Sequence, residues 1–396
     1  MNSTSPLSED ILATAGVIRQ LGASVVYEPG TFRVEPAKET AVSPLFDCKE
    51  SGSTLRFLLP VAAARTEHPG FTGSGRLPER PIGELLKALS ENGVTPTAEK
   101  LPFFFEGNLK SGVFRLPGNI SSQYITGLLL GLPGLSGDSE IRLTTALQSA
   151  AYIDITLHAL GRFGIRVLPL PDGYHIPGGQ TFHSPGTLTA DGDWSNAAFF
   201  LAAGAIGQKE VSVSGLSPDS PQGDKAIVDL LKNSFGAGVK RSGPSENGTY
   251  TYTVSPAPLK GAVIDVTGIP DAFPILATIA CFAEGPTTFV GGERLRLKES
   301  DRIASVRAMI DSLGGQCEET DDGLIVQGKD VTGGVTGGVA GGTVDACNDH
   351  RIAMAAAIAA MNAKSDVLLE GAEAVNKSYP SFYQELTRLG GIAHVI

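Results

Sequence analysis

The stretch DRIASVRAMIDSLGGQC, residues 301–317, puts its apolar side chains at Ile303, Val306, Met309, Ile310 and Leu313. That is the i, i+3, i+4, i+7 spacing of one helical face, with Ser300 or Asp301 as cap and Gly314 as the stop. A short β-rich run follows. The same unit, an amphipathic helix ending at a glycine before a β-rich run, recurs as DILATAGVIRQLGASVVY from Asp10, PIGELLKALSENGVTPT from Pro81 and YIDITLHALGRFGIRVL from Tyr152. It returns as DKAIVDLLKNSFGAGVK from Asp224 and YPSFYQELTRLGGIAHV from Tyr379, which makes six copies. Repetition at this scale decides the architecture.

A second unit alternates with the first, a polar start followed by an almost wholly apolar helix. It reads SGSTLRFLLPVAAA from Ser51, SSQYITGLLLGLPGL from Ser121, DWSNAAFFLAAGAIG from Asp193, PDAFPILATIACFAEG from Pro270 and NDHRIAMAAAIAAM from Asn348. A helix apolar all round is buried, so these are expected inside and the amphipathic set outside. The runs Val211–Val213, Thr287–Val290 and Val367–Leu369 read as strands between them. The five buried starts are about 74 residues apart on average, and one further step back from Ser51 falls upstream of Met1. The expected fold is therefore α/β (α+β), in two domains of three repeats each, with the first repeat incomplete. The run Thr189–Asp193 is the expected hinge, between domains at 1–190 and 191–396.

Composition narrows the function. The 396 residues are 42% hydrophobic, with 49 Gly and 25 Pro, which describes a turn-rich globular chain too long for one ordinary core. A net charge of −11 without a basic tail argues against general nucleic-acid binding. Cys48, Cys281, Cys317 and Cys347 are widely spaced, and the histidines are scattered, so neither a disulfide framework nor a metal cluster is indicated. No apolar run reaches the ~18 residues of a membrane span, and nothing at the start reads as a signal peptide. A cytoplasmic location is the expectation.

The charge that does exist is concentrated. GERLRLKESDR, residues 292–302, holds four cations and three carboxylates in a chain only 18% charged. If the helix starts early, Lys298 and Arg302 share a face with Glu299 beside them. Cations at a helix start oppose the macrodipole, so an electropositive anion pocket is the expected use. Other polar residues gather at the starts of the buried helices. They are Ser51-Gly52-Ser53 before Arg56, Ser121-Ser122-Gln123, Asp271 and His350-Arg351. Arg76 and Arg80, Ser149 and Tyr152, and Lys377 lie just ahead of outer helices. Several of the hydroxyls and Asp271 read equally well as plain helix caps. With no Walker loop, no GxGxxG after a strand and no metal triad, the set suits acid–base work on small molecules bearing phosphate and carboxylate.

The motifs SGSTLRFL, RLPERPIG, SSQYITGLL, SAAYIDITL, SPQGDKA, IPDAFPILA, RLKESDR, NDHRIAMA and KSYPSF, in this order, resemble those of the 5-enolpyruvylshikimate-3-phosphate synthase family of enolpyruvyl transferases. The resemblance runs from about residue 8 to the C-terminus. It implies two domains of βαβαββ units around buried helices, with the active site in the interdomain cleft. It also implies transfer of the enolpyruvyl group of phosphoenolpyruvate to the 5-hydroxyl of shikimate 3-phosphate, by addition–elimination, in aromatic amino-acid biosynthesis. No metal or organic cofactor is implied, no nucleic-acid or membrane partner, and a monomer is expected. By motif, Ser121, Ser122 and Ser149 would hold the phosphate of shikimate 3-phosphate, with Tyr152, Asp271 and Lys298 at its ring. Arg302 and Arg351 would take the phosphoenolpyruvate carboxylate, and Arg80, Gln123 and Lys377 its phosphate. Gly52 would leave the space that admits the herbicide glyphosate. Asp271 and Glu299, beside Lys298, are the implied acid–base groups.

The chain departs from the family in three places. It contains no Pro-Gly-Ser-Lys-Ser run, Glu50 stands where many members have Asn, and Arg294 where some have Asn. The first agrees with the count of buried helices, and together they lead to the expectation of a first domain short of stability and of turnover. Two rival readings follow. One is a non-catalytic relative that binds anionic metabolites. The other is the enzyme acting on UDP-N-acetylglucosamine, which would carry a cysteine in the loop Gly75–Pro81, where this chain has none.

Overall fold

The computed structural model describes residues 6–37, 44–329 and 338–396. The chain divides into two compact units, 1–188 and 189–396. The first holds α1 (Glu9–Gln20), α2 (Gly52–Arg65), α3 (Gly83–Ser90), α4 (Ser122–Gly131) and α5 (Ala150–Arg162). The second holds α6 (Trp194–Ile206), α7 (Ile227–Asp229), α8 (Phe273–Ala280), α9 (Arg302–Ser312), α10 (His350–Ala360) and α11 (Phe382–Arg388). No helix among the described residues is long and apolar enough to cross a membrane.

The two helix classes follow from their patterns. All eight residues of α8 and ten of the eleven in α10 are buried. In contrast α1 buries three of twelve and α5 three of thirteen. Four of the five apolar helices cross between two parallel strands. Leu45–Asp47 pairs with Gly70–Thr72 across α2, and Val113–Leu116 with Ser139–Leu143 across α4. Val263–Asp265 pairs with Thr287–Val290 across α8, and Gly342–Asp345 with Val367–Glu370 across α10. Three of these first strands close with one turn: the carboxylates of Asp47, Asp265 and Asp345 accept the N–H of Lys49, Thr267 and Cys347 at 2.9, 2.8 and 2.7 Å. Such Asx turns release the chain from the strand toward the buried helix.

Five of the six amphipathic segments lead into antiparallel hairpins, whereas among the described residues no strand follows α11, where the sequence suggested a β-rich run. The glycines after them, Gly22, Gly93, Gly164, Gly236, Gly314 and Gly390, all have left-handed φ, from 77° to 103°. A residue with a Cβ pays strain there, so the glycine both ends the helix and turns the chain. Three sheets are complete four-stranded units in which a parallel pair is extended by such a hairpin, for example Leu45–Asp47, Gly70–Thr72, Phe103–Gly107 and Val94–Pro96 in spatial order. This is the βαβαββ unit. Ser24–Glu28 and Thr31–Glu35 form a two-stranded sheet on their own among the described residues.

Two local expectations change. The copy beginning at Asp224 is not one α-helix. It runs as a 3₁₀ turn (Gly223–Ala226), the short α7 and a π turn (Leu230–Ser234). The i→i+5 bond from Phe235 N–H to the Leu230 carbonyl (2.9 Å) widens the last turn, and both Leu231 and Phe235 become fully buried. The second change is at residues 298–302. Asp301 is the N-cap, accepting from Ala304 N–H at 3.2 Å, and α9 starts only at Arg302. Lys298 follows a separate 3₁₀ turn, Glu293–Leu297, and so does not share a helical face with Arg302.

In the first unit α2 and α4 approach at backbone distance. A Cβ on Gly127 would lie 2.1 Å from the Arg56 carbonyl oxygen, and one on Gly131 2.8 Å from that of Pro60. Two glycines four apart clear one face of α4, and this sets the two polar helix starts beside each other.

Candidate active site

In the unit 189–396 the polar residues converge on Arg302, whose side chain is 1% exposed. Its Nε donates to Asp349 Oδ2 (2.9 Å), Nη1 to Asp271 Oδ1 (2.7 Å), and Nη2 to Glu299 Oε2 (2.9 Å). Longer bonds at 3.4 Å reach the Pro270 carbonyl and Asp349 Oδ1, so every guanidinium hydrogen has an acceptor. Asp271 is shared. Lys298 Nζ stands 3.6 Å from its Oδ1 and Arg351 Nη2 3.3 Å from its Oδ2. Arg351 is held further by Asn196 Oδ1 (3.1 Å), with its guanidinium 5.8 Å above the Phe199 ring. Asp349, fully buried, caps α10 through Arg351 N–H (2.9 Å) and accepts from Ser300 Oγ (3.1 Å). Lys377 Nζ donates to the Asn348 carbonyl (2.8 Å), which brings it to the start of α10.

The sequence suggested an electropositive anion pocket, and the structure sets carboxylates beside its cations. Lys298, Arg302 and Arg351 are each matched by carboxylates, because an arginine this deep is costly to leave unpaired. Burial pushes the Asp271 pKa up, but Lys298, Arg302 and Arg351 outweigh it and hold the carboxyl well below its ordinary range. Burial also lowers the pKa of Lys298 against the pull of Asp271. For Arg302, Asp349, Asp271 and Glu299 outweigh burial and raise the pKa.

Two further buried groups titrate abnormally. Burial and then Asp271 push Asp224 up to about 6. One of its oxygens accepts from Ser195 Oγ, and the other is buried without a hydrogen-bond partner. Burial, reinforced by Arg351, drives His350 down to about 4. The two act oppositely on stability. His350 sits below its ordinary 6.5, so it supplies stability that is present above pH ~6.5 and lost as pH falls toward 4. Asp224 sits above its ordinary 3.8, so its cost is full above pH ~6 and disappears as pH falls toward 4. Asp224→Asn is therefore expected to raise the melting temperature most at pH 7, with the gain shrinking steadily to pH 4. A gain independent of pH, measured by thermal unfolding across that range, would contradict the assignment.

In the unit 1–188 a second cluster forms at the starts of α2 and α4. Ser51 caps α2, accepting from Thr54 N–H at 3.2 Å, and Ser121 caps α4, accepting from Gln123 N–H at 3.3 Å. A Cβ on Gly52 would lie 2.6 Å from Arg80 Nη1 and 2.7 Å from Arg56 Nη1, so two guanidinium ends rest on this glycine. Arg56 Nη1 donates to Gln123 Oε1 (2.8 Å), and Gln123 Nε2 to Ser53 Oγ (2.9 Å). The loops before α4 and α5 are laced together: Thr145 Oγ1 accepts from Gly118 and Asn119 N–H (3.0 and 3.2 Å) and donates to Asn119 Oδ1 (2.9 Å). Ser149, at the end of the second of these loops, is buried and left-handed at φ 55°. Strain of this kind in a serine is a mark of functional sites. Tyr152 follows in the first turn of α5.

The structure thus gathers Asp271, Lys298, Glu299, Arg302 and Arg351 in one unit, and Gly52, Arg80 and Gln123 in the other. The sequence reading assigned no role to Asp349, Asn196, Asp224 or Arg56. A signal existed for two of them, since Asp349 adjoins His350-Arg351 and Arg56 is a lone cation inside an apolar helix.

The described residues contain no group of three or more His, Cys, Asp or Glu placed to hold a metal. Comparison with known proteins supplies the family. The sequence profile of EPSP synthase (3-phosphoshikimate 1-carboxyvinyltransferase) matches residues 3–386. The chain is 38% identical over 396 residues to the 3-phosphoshikimate 1-carboxyvinyltransferase of Clostridium acetobutylicum, covering 98% of this chain and 88% of that relative. For the protein of the same name from Clostridium kluyveri the identity is 39%, with 97% and 87% covered. A solved EPSP synthase from Acinetobacter baumannii superposes with a TM-score of 0.77 at 25% identity, covering 97% of this chain and 88% of that one. The enolpyruvyl transferase NikO from Streptomyces tendae shares the fold, with a TM-score of 0.75 at 19% identity. Nearly the whole length of the chain is matched in sequence and in fold, and it belongs to the EPSP synthase (3-phosphoshikimate 1-carboxyvinyltransferase) family.

Proposed function

We propose that this chain transfers the enolpyruvyl group of phosphoenolpyruvate to the 5-hydroxyl of shikimate 3-phosphate and releases phosphate. Family membership supplies the reaction class, a transferase of the shikimate pathway. The observation that carries the residue roles is Asp271 held among Lys298, Arg302 and Arg351, with Glu299 on the same guanidinium. In this reading Ser121, Ser122 and Ser149 bind the shikimate phosphate, with Tyr152 and Lys298 at the ring. Arg302 and Arg351 take the phosphoenolpyruvate carboxylate, and Arg80, Gln123 and Lys377 its phosphate, as guanidinium forks and charged donors suit.

The charge balance of the cluster gives a mechanism. Without substrate, three cations make Asp271 a weak base. A substrate carboxylate that draws Arg302 and Arg351 relieves this, and Asp271 becomes able to accept the 5-hydroxyl proton as the oxygen attacks. Glu299 delivers a proton to the methylene carbon and then takes one back from the resulting methyl as the carbon–phosphate oxygen bond breaks. The hydroxyl proton leaves with the phosphate, whose charge the cations stabilise. In this reading the reaction takes place in the cytoplasm and the protein is a monomer.

The direct test is phosphate release by the purified chain. Release is expected only with phosphoenolpyruvate and shikimate 3-phosphate together, contrary to the shortfall of turnover that the sequence suggested. Release with UDP-N-acetylglucosamine in place of the shikimate ester would assign a different acceptor, and binding of both anions without release would support a non-catalytic role.

Gly52 offers a sharper one. A methyl group there must push Arg80 and Arg56 aside by their guanidinium ends. Gly52→Ala is expected to weaken inhibition by glyphosate at least ~10-fold more than it raises KM for phosphoenolpyruvate. Equal changes in the two constants would show that Gly52 does not border the inhibitor.

A further inference from the structure

Arg56 is the one charged residue of α2 before its last turn, and it is 3% exposed. Burying an arginine is costly, and both terminal nitrogens of this one find acceptors. Its Nη1 donates to Gln123 Oε1 (2.8 Å) and its Nη2 to the Pro81 carbonyl (2.9 Å). Tyr124 Oη donates to that same carbonyl (2.6 Å), and the guanidinium lies 5.8 Å over the Tyr124 ring. The Arg56 main chain is fixed as firmly, by the close approach of Gly127.

We infer that Arg56 is a positioning residue for phosphoenolpyruvate. It sets which end of the Gln123 carboxamide faces the phosphate, and it holds the loop that carries Arg80. This rests on the reading above that Gln123 and Arg80 bind that phosphate. A guanidinium has donors only, so the amide must turn Oε1 toward it. Nε2 is then directed the other way, with one hydrogen on Ser53 Oγ (2.9 Å) and the second left for an anion. Because Ser53 accepts that bond, its own hydroxyl hydrogen is also free to donate. A flipped amide would aim its oxygen at the phosphate instead, so Arg56 fixes the sign of the dipole that the substrate meets. The second fork tooth, on the Pro81 carbonyl, sits one residue beyond Arg80 and fixes where that side chain begins. A lysine is a point donor and cannot span both acceptors.

The test compares Arg56→Lys, Gln123→Ala, Gln123→Glu, Arg80→Ala and the double variant Arg56→Lys/Gln123→Ala, by KM for each substrate, kcat and melting temperature. The Kd for phosphoenolpyruvate by calorimetry gives the same split without turnover. Arg56→Lys is expected to raise KM for phosphoenolpyruvate ~10–100-fold while KM for shikimate 3-phosphate stays within ~3-fold. The double variant should cost clearly less than the sum of its singles, since the amide route is shared while the hold on the Arg80 loop is lost only with Arg56. Gln123→Glu, which keeps the shape and can be made if Arg56→Lys does not fold, should be worse than Gln123→Ala. Arg56→Lys with a lowered melting temperature but an unchanged KM for phosphoenolpyruvate would overturn the inference, as would additive costs or equal losses in Gln123→Glu and Gln123→Ala. If Gln123→Ala and Arg80→Ala both leave that KM unchanged, the phosphate assignment itself fails, and the inference with it.

Discussion

Arg302→Ala is expected to destabilise the unit 189–396 severely. The side chain it removes answers Asp349, which is fully buried, together with Asp271 and Glu299. Breaking a buried pair on one side leaves a charge without compensation, which costs ~3–5 kcal/mol. That is a large part of the ~5–15 kcal/mol that holds a typical domain. Arg302→Lys should fall between, keeping one charge and losing the fork. Denaturant unfolding of the three chains checks this. A midpoint for Arg302→Ala equal to that of the parent would mean that the network contributes nothing to the fold.

Asp271→Asn and Glu299→Gln are each expected to lower kcat ~10²–10⁴-fold with the fold intact. The two should differ in binding. Asp271→Asn strips the charge that balances Lys298, Arg302 and Arg351, leaving the cluster more positive. KM for phosphoenolpyruvate should then hold or fall while kcat collapses. Glu299→Gln frees only one tooth of Arg302 and should move KM less. Steady-state kinetics decide the matter, and a near-normal kcat in both variants would remove these carboxylates from the acid–base roles.

What could be read from the sequence was what is local. The six glycine stops fell where left-handed φ is found, since a helix stop needs only neighbours within a turn. The apolar helices declared their burial by composition alone. The start of α9 was half legible: Asp301 was a candidate cap, but the break between Lys298 and Arg302 depends on a 3₁₀ turn that no spacing rule gives. The fourth outer helix failed for a similar reason, because seating Phe235 outweighed regular hydrogen bonding. The site was legible by resemblance rather than by pattern. Arg302 finds Asp349 47 residues away, and Arg351 finds Asn196 at a separation of 155. Periodicity carries no information over such distances. The charge compensation that distinguishes this cluster from an open cationic pocket therefore had to be seen.

The central claim is that the enolpyruvyl group is transferred by addition and elimination, with a proton placed on the methylene carbon and one then removed. Running the reaction in deuterium oxide and examining the product by proton NMR tests it most directly. The account predicts an enolpyruvyl ether of shikimate 3-phosphate whose vinyl methylene carries deuterium, formed with an equal amount of phosphate. Transfer with no deuterium in that methylene would contradict the account, because no methyl stage would then have occurred.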